Sequence, residues 1–204
     1  MEDLPLFSQE NMNLREFDKN NEGKVFEKKI LKDGDFNNLE FYNCKFLYCK
    51  FNGSTFHKCR FEDCEFTECD LSLIKPRYCA FIDVDFRQSK LVGINWTEAA
   101  TPLSINFDSC LINLSSFFGL NLTKIKMVEC IAKEVDFVEA NLANGNFNAT
   151  DFTNSRFLKT NLTKADFRQA KNYSIDPNNN LLKKTRFSLP EAISLLSGLD
   201  VVLD

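Results

Sequence analysis

Glycine is scarce in this chain, with 7 among 204 residues. No phosphate-cradling glycine motif and no nucleophile elbow can be assembled from them. Histidine occurs once, at His57, so acid–base catalysis has little footing. No apolar run reaches membrane length. The acidic start MEDLPLF does not have the pattern of a signal peptide. A cytoplasmic protein with no membrane partner is expected. There is no basic excess: the net charge is -4, which argues against direct, nonspecific binding of nucleic acid. The eight cysteines never form a Cys-x-x-Cys pair. That removes the usual metal pattern, and disulfides would want a secreted chain. Buried free thiols are expected, with no cofactor, no metal site and no enzymatic activity.

What the chain has is phenylalanine, 21 residues of it. Between Cys44 and Leu71 the rings fall at Phe46, Phe51, Phe56, Phe61 and Phe66. Two positions before each stands a small or thiol side chain: Cys44, Cys49, Ser54, Cys59 and Cys64. A period of five fits neither a helix nor a flat strand. It fits a chain that runs straight for three residues and then turns. Positions two apart in the straight part share a side, so each Phe and its preceding small residue point inward. Such a path winds into a tube with an aromatic stack inside it. At roughly 2–3 kcal/mol per buried Phe, this is a sufficient core.

The register extends both ways. Its centres run from Phe26 through Leu31 and Phe36 to Leu71, then Pro76, Phe81, Phe86, Leu91 and Trp96. They resume at Phe107 and continue through Ile112, Phe117, Leu122, Met127, Ala132, Phe137, Leu142, Phe147, Phe152, Phe157 and Leu162 to Phe167. Trp96 to Phe107 is two pentads plus one residue, so a one-residue bulge is expected within 97–105, near Pro102. A local bulge is also expected around Ile74–Arg77, because Pro76 cannot donate a ladder hydrogen bond. Ala132 underfills its layer, with Ile131 as a candidate to compensate. Phe7, Phe17, Phe118 and Phe187 stand outside the register.

Three segments follow: an N-terminal cap at 1–22, a repeat domain at 23–171, and a C-terminal segment at 172–204. Ser188 and Glu191 make a capping box with Pro190 in the first turn, which predicts a short α-helix stopped by Gly198. Phe187, Ile193, Leu195, Leu196, Leu199, Val201, Val202 and Leu203 are too many apolar residues for a free end. They suit a cap on the tube or a self-complementary dimer contact.

The triplets ADF (165–167), CDL (69–71), VDF (135–137) and TDF (150–152) resemble the pentapeptide-repeat family. That resemblance implies an all-β fold, a right-handed quadrilateral β-helix with four pentads per coil. A narrower likeness lies in SLIKPRYCAF, GINWTEA, FFGLNLTKIKMVEC, NYSID and RFSLPEAISLLSGLD. These stretches are similar to the albicidin-resistance pentapeptide proteins and, more distantly, to the microcin B17 immunity and Qnr quinolone-resistance proteins. The likeness implies a homodimer joined through the C-terminus. It also implies a protein that binds DNA gyrase, and often topoisomerase IV, in place of DNA and so protects it from poisons. Unlike Qnr proteins, this chain has no large inserted loops.

If four pentads make a coil, residues twenty apart stack. About seven coils at about 4.8 Å each give about 34 Å per subunit, and two subunits about 70 Å. Each face is then close to neutral overall. One acidic concentration remains as the candidate partner site. Glu40, Glu62, Asp63 and Asp83 fall on one face, with Glu65, Glu68 and Asp85 across the adjoining corner. Arg60 and Arg87 dilute it. Such a patch would steer association with a basic groove. The plainer reading is a solvated polar rim, and the alternative function is a non-catalytic scaffold for another protein.

Overall fold

The computed structural model describes residues 17–198. Residues 1–16 of the expected cap, and Leu199, Val201, Val202 and Leu203 of the expected dimer contact, lie outside this range.

The chain winds as a four-sided parallel β-solenoid. The first face is a six-stranded parallel sheet of Val25–Glu27, Lys45–Leu47, Glu65–Thr67, Val84–Arg87, Ile105–Asp108 and Met127–Val128. The second face is a column of single bridges from Ile30 through Lys50, Asp70 and Lys90 to Lys171. The third face begins with Asp35–Asn37, Thr55–His57 and Lys75–Arg77. Asn20–Glu22, Glu40–Tyr42, Arg60–Glu62 and Ala80–Ile82 form the fourth.

The five-residue period becomes a side of this square. Each centre is buried and stacks on the centre one coil away. Phe46 lies 4.4 Å from Phe66 at 5°, and Phe66 lies 5.2 Å from Phe86. Rings on adjacent faces meet edge-on, as Phe41 and Phe46 do at 5.3 Å and 70°. Both geometries suit the ring quadrupole. All eight cysteines are free and buried. Six of their thiols reach backbone carbonyls of the coil below, as Cys69 Sγ does to the Phe46 oxygen at 3.3 Å. Burial pushes the Cys64 thiol up to about 11, which leaves little nucleophilic thiolate near neutral pH.

The corners explain how the chain turns with so little glycine. Two residues after most centres the backbone is left-handed, and among the described residues 26 non-glycine residues have positive φ. A left-handed residue costs roughly 1–2 kcal/mol. Here most corner N–H groups donate into the next coil, as Asn43 does to the Glu62 carbonyl at 2.9 Å. None of the 26 is Val, Ile or Thr, the side chains that would crowd this conformation most.

Several details depart from expectation. Pro76 produces no bulge: Lys75–Arg77 is a regular strand in which Pro76 pairs with Phe56. Lys75 N–H donates downward to the Ser54 carbonyl at 2.9 Å. The missing donor faces the next coil. At an ordinary centre such as Phe117, the N–H donates to the Asp136 carbonyl. Above Pro76 the equivalent acceptor, the Asn95 carbonyl, takes the Glu98 N–H at 3.3 Å instead, within the 3-10 turn Trp96–Glu98. Ile131 is 43% exposed and does not fill the layer of Ala132.

The register step changes from twenty to twenty-one residues across the extra residue: Glu65 pairs with Asp85, but Val84 with Ile105. Phe17 is 7% exposed and closes the first coil, 5.0 Å from Phe26 and 5.2 Å from Phe41. At the other end the ladder runs past 171. Ile175, Leu181 and Arg186 each pair with the coil below, so Phe187 is in register and sits 5.6 Å from Phe167.

The expected C-terminal α-helix is a 3-10 helix, Glu191–Gly198. The capping box fails because Ser188 Oγ accepts the Gln169 N–H at 2.8 Å from the coil below. Among the described residues, no helix is long and apolar enough to cross a membrane.

Candidate partner-binding edge

The corner between the fourth and first faces is built from left-handed residues in register. Asp63 and Asp83 occupy it one coil apart, both exposed. On the first face, just past this corner, Glu65 pairs with Asp85. Glu62 is on the fourth face just before it. These five carboxylates share one edge. Glu40 lies one coil lower on the fourth face, beside Arg60. Glu68 sits on the next corner, where its N–H reaches the Arg87 carbonyl at 3.0 Å.

Much of this charge is met within the chain. Arg60 Nη2 contacts Glu62 Oε2 at 2.6 Å, and the Arg60 guanidinium lies 5.9 Å from the Tyr42 ring centre. Tyr42 donates to Glu40 at 3.0 Å, and that bond raises its pKa above the ordinary tyrosine value. Arg87 reaches Asp85 at 3.2 Å and Glu65 at 3.8 Å. Thr67 donates to Glu65 at 2.8 Å, and Asn106 Nδ2 to Asp85 at 3.0 Å. Asp83 accepts from Ser104 Oγ at 2.7 Å. These partners orient the carboxylates and lower the field they present. Exposed pairs of this kind are each worth about 0–1 kcal/mol.

A groove of about 230 Å³ runs beside them, lined by residues including Asp85, Arg87, Asn106, Asp108 and Lys126. It carries both signs of charge. Among the described residues no group of His, Cys, Asp and Glu could hold a metal ion. His57 is not in a turn: it ends the third-face strand Thr55–His57 and stands against Tyr78, ring centres 5.6 Å apart. The arrangement can bind through charge and hydrogen bonds.

Sequence reasoning missed Ser104 and Asn106. They reach Asp83 and Asp85 only through the twenty-one-residue step, so a fixed spacing of twenty places them one position away.

In comparison with known proteins, the model of the pentapeptide repeat region matches residues 39–117, and that of pentapeptide repeats in eight copies matches 133–169. This chain belongs to the pentapeptide-repeat family. Among solved structures, a trypsin-treated form of QnrB1, a plasmid-mediated fluoroquinolone resistance protein, is similar in fold. It has 17% identity and a TM-score of 0.62, over 91% of this chain and 98% of that one. HetL, a pentapeptide-repeat protein involved in heterocyst differentiation regulation from the cyanobacterium Nostoc sp., aligns at 16% identity and a TM-score of 0.40. That alignment covers 81% of this chain and 86% of HetL. No curated protein matches the sequence.

On the expected dimer surface of this pentapeptide-repeat protein, Phe187 and Leu195 pack against the core. Ile193 is 47% exposed, and Leu196 is half-buried.

Proposed function

We propose that this protein is a cytoplasmic DNA mimic that occupies the DNA-binding groove of DNA gyrase, and of topoisomerase IV, and protects the enzyme from albicidin, quinolone or microcin-type poisons. The observation that supports the reading is a parallel solenoid with acidic rungs in register along the N-terminal half of one edge, Glu65 on Asp85 and Asp63 beside Asp83. The first face has nine rungs from Phe26 to Phe187, eight spacings of about 4.8 Å, or about 38 Å. Two rods joined tail to tail span about 77 Å, the length of roughly 22 base pairs at 3.4 Å. Exposed Leu189 and Ile193 at the tail suit that joint. The sequence likeness to the albicidin-resistance proteins supports the same partner.

The test is gyrase supercoiling with albicidin, a quinolone or microcin B17 present. Rescue, or inhibition in the absence of poison, at micromolar protein is expected. Neither effect with any poison would overturn the reading. Asp63→Asn, Glu65→Gln, Asp83→Asn and Asp85→Asn together should keep the fold and weaken gyrase binding. Unchanged affinity would remove this edge as the contact.

A second reading, a scaffold for a different protein, is favoured by Arg60 and Arg87, which offset the acids within the chain. Recovery of a single other partner from a bacterial lysate, with no gyrase subunit, would support it.

A further inference from the structure

The acidic edge changes sign along its length. Beyond the extra residue, the same corner column continues as Lys124, Asn144, Lys164 and Lys184, all left-handed. Backbone bonds fix its register: Lys124 N–H to the Ala143 carbonyl, Asn144 to Thr163 and Lys164 to Lys183, each 2.9 Å. The neighbouring column on the first face runs Lys126, Asn146, Asp166 and Arg186 through successive bridges.

Six cations, Lys124, Lys126, Lys164, Lys183, Lys184 and Arg186, are exposed here. Among the described residues none of them has an ion-pair partner within 4.0 Å. Asp166 is the one acid in this half of the two columns; Arg168 holds it at 2.6 Å, and Arg186, next to it in the ladder, adds to the positive charge that lowers its pKa. Between the rows lies a groove of about 590 Å³, lined by Asn144, Gly145 and Asn146 together with Lys164, Asp166, Lys184 and Arg186.

We infer that this half of the edge binds the phosphate backbone of duplex nucleic acid. Cations without internal counter-charges are the groups that exchange condensed counterions for phosphates. The row keeps the corner register, and Lys124 to Lys184 spans three rung spacings, about 14 Å. Its flanking side chains are Thr123, Ala143 and Thr163, so it has no aromatic platform on which unpaired bases could stack. A second copy, with its acidic end laid antiparallel, is the competing occupant. It is disfavoured because three of the five edge carboxylates, Glu62, Glu65 and Asp85, already have Arg60 and Arg87, whereas the cations have no ion-pair partner within 4.0 Å. The chain's net charge of -4 does not exclude a duplex partner, because it averages two ends of opposite sign.

The experiment is fluorescence anisotropy with a labelled duplex of about 20 base pairs, at about 50 and 200 mM salt. Wild type is compared with Lys164→Asn/Lys184→Asn/Arg186→Gln. Asparagine already occupies this corner at Asn144 and tolerates the left-handed region, so the fold should persist, as circular dichroism will check. Lys164→Arg/Lys184→Arg keeps the charge and should bind like wild type.

The neutral triple variant should bind at least about ten-fold more weakly, with a salt slope shallower by nearly three. No wild-type binding at the lower salt would overturn the inference, as would equal binding by the neutral variant or tighter binding of a single strand. Self-association abolished by the same variant, with duplex unbound, would assign the edge to a second copy instead. No topoisomerase is present in this assay, so its outcome is independent of the function proposed above.

Discussion

The first four coils and the last four share one period but not one backbone. In the first half, three faces carry three-residue strands around stacked rings such as Phe46 and Phe66. In the second half most sides are single bridges, and several centres are smaller: Leu122, Ala132, Leu142 and Leu162.

The residue before the centre accounts for part of the difference. In the second half it is often Asn or Asp, whose side chain accepts the N–H two residues on. Asp136 takes Val138, Asn141 takes Ala143, Asp151 takes Thr153 and Asn161 takes Thr163, each at 3.1 or 3.2 Å. This local bond draws the chain into its turn early. It is not required, since the second face makes the same single bridges over Lys50 and Lys90. The lesson is that the period fixes what is buried, while the outward residues choose between strand and bridge.

The largest expected effect breaks the comparison at its core. Phe66→Ala should cost about 3–5 kcal/mol in urea unfolding, through the cavity it leaves between Phe46 and Phe86. A loss below about 1 kcal/mol would mean that stacked rings do not carry the first half. Next is the corner, which both halves share. Asn43→Val and Ala149→Val should each cost about 1–2 kcal/mol, whereas Asn43→Gly should cost almost nothing. Unequal losses at the two valine sites would show that the halves turn differently.

Asn141→Ala removes a ladder in which Asn141 donates to Asn121 at 3.1 Å and accepts from Asn161 at 3.0 Å. It should cost about 1 kcal/mol, against near zero for Lys50→Ala. Equal values would remove the outward residue as the source of the difference.

The smallest effect concerns pH. Burial pushes the Asp151 carboxyl up, but hydrogen bonds from Thr153, Asn172 and Lys133 more than reverse this and hold it at about 2. Because the folded value is depressed, its stabilisation is full above about pH 4 and is lost as pH falls through about 2. Urea midpoints at neutral and acidic pH should therefore converge for wild type and Asp151→Asn as the acid is added. A constant gap would mean Asp151 is not held ionised.

The interior was legible because each inward position repeats within one short window. Cys44, Phe46 and their successors can be assigned by counting fives. Phe187 was not legible: the NYSIDPNNN stretch breaks the count, yet Ile175 and Leu181 still pair with the coil below. The capping box that the local pattern predicts at Ser188 does not form, because its hydroxyl meets Gln169 from a coil that local sequence does not see. Of the candidate edge, Glu65 over Asp85 was legible from the spacing of twenty. The lysine row does not show in the net charge of a face, where acids at one end cancel bases at the other.

By itself the sequence determined the tube, its inward columns and the burial of its thiols. Those follow from side chains two and five positions apart, whose directions are set by local backbone geometry. Only the tertiary structure decided which carboxylates have arginine partners, where the last coil closes, and that one edge runs from acid to base. Those depend on contacts between residues twenty or twenty-one apart, and a single inserted residue resets every such contact that crosses it.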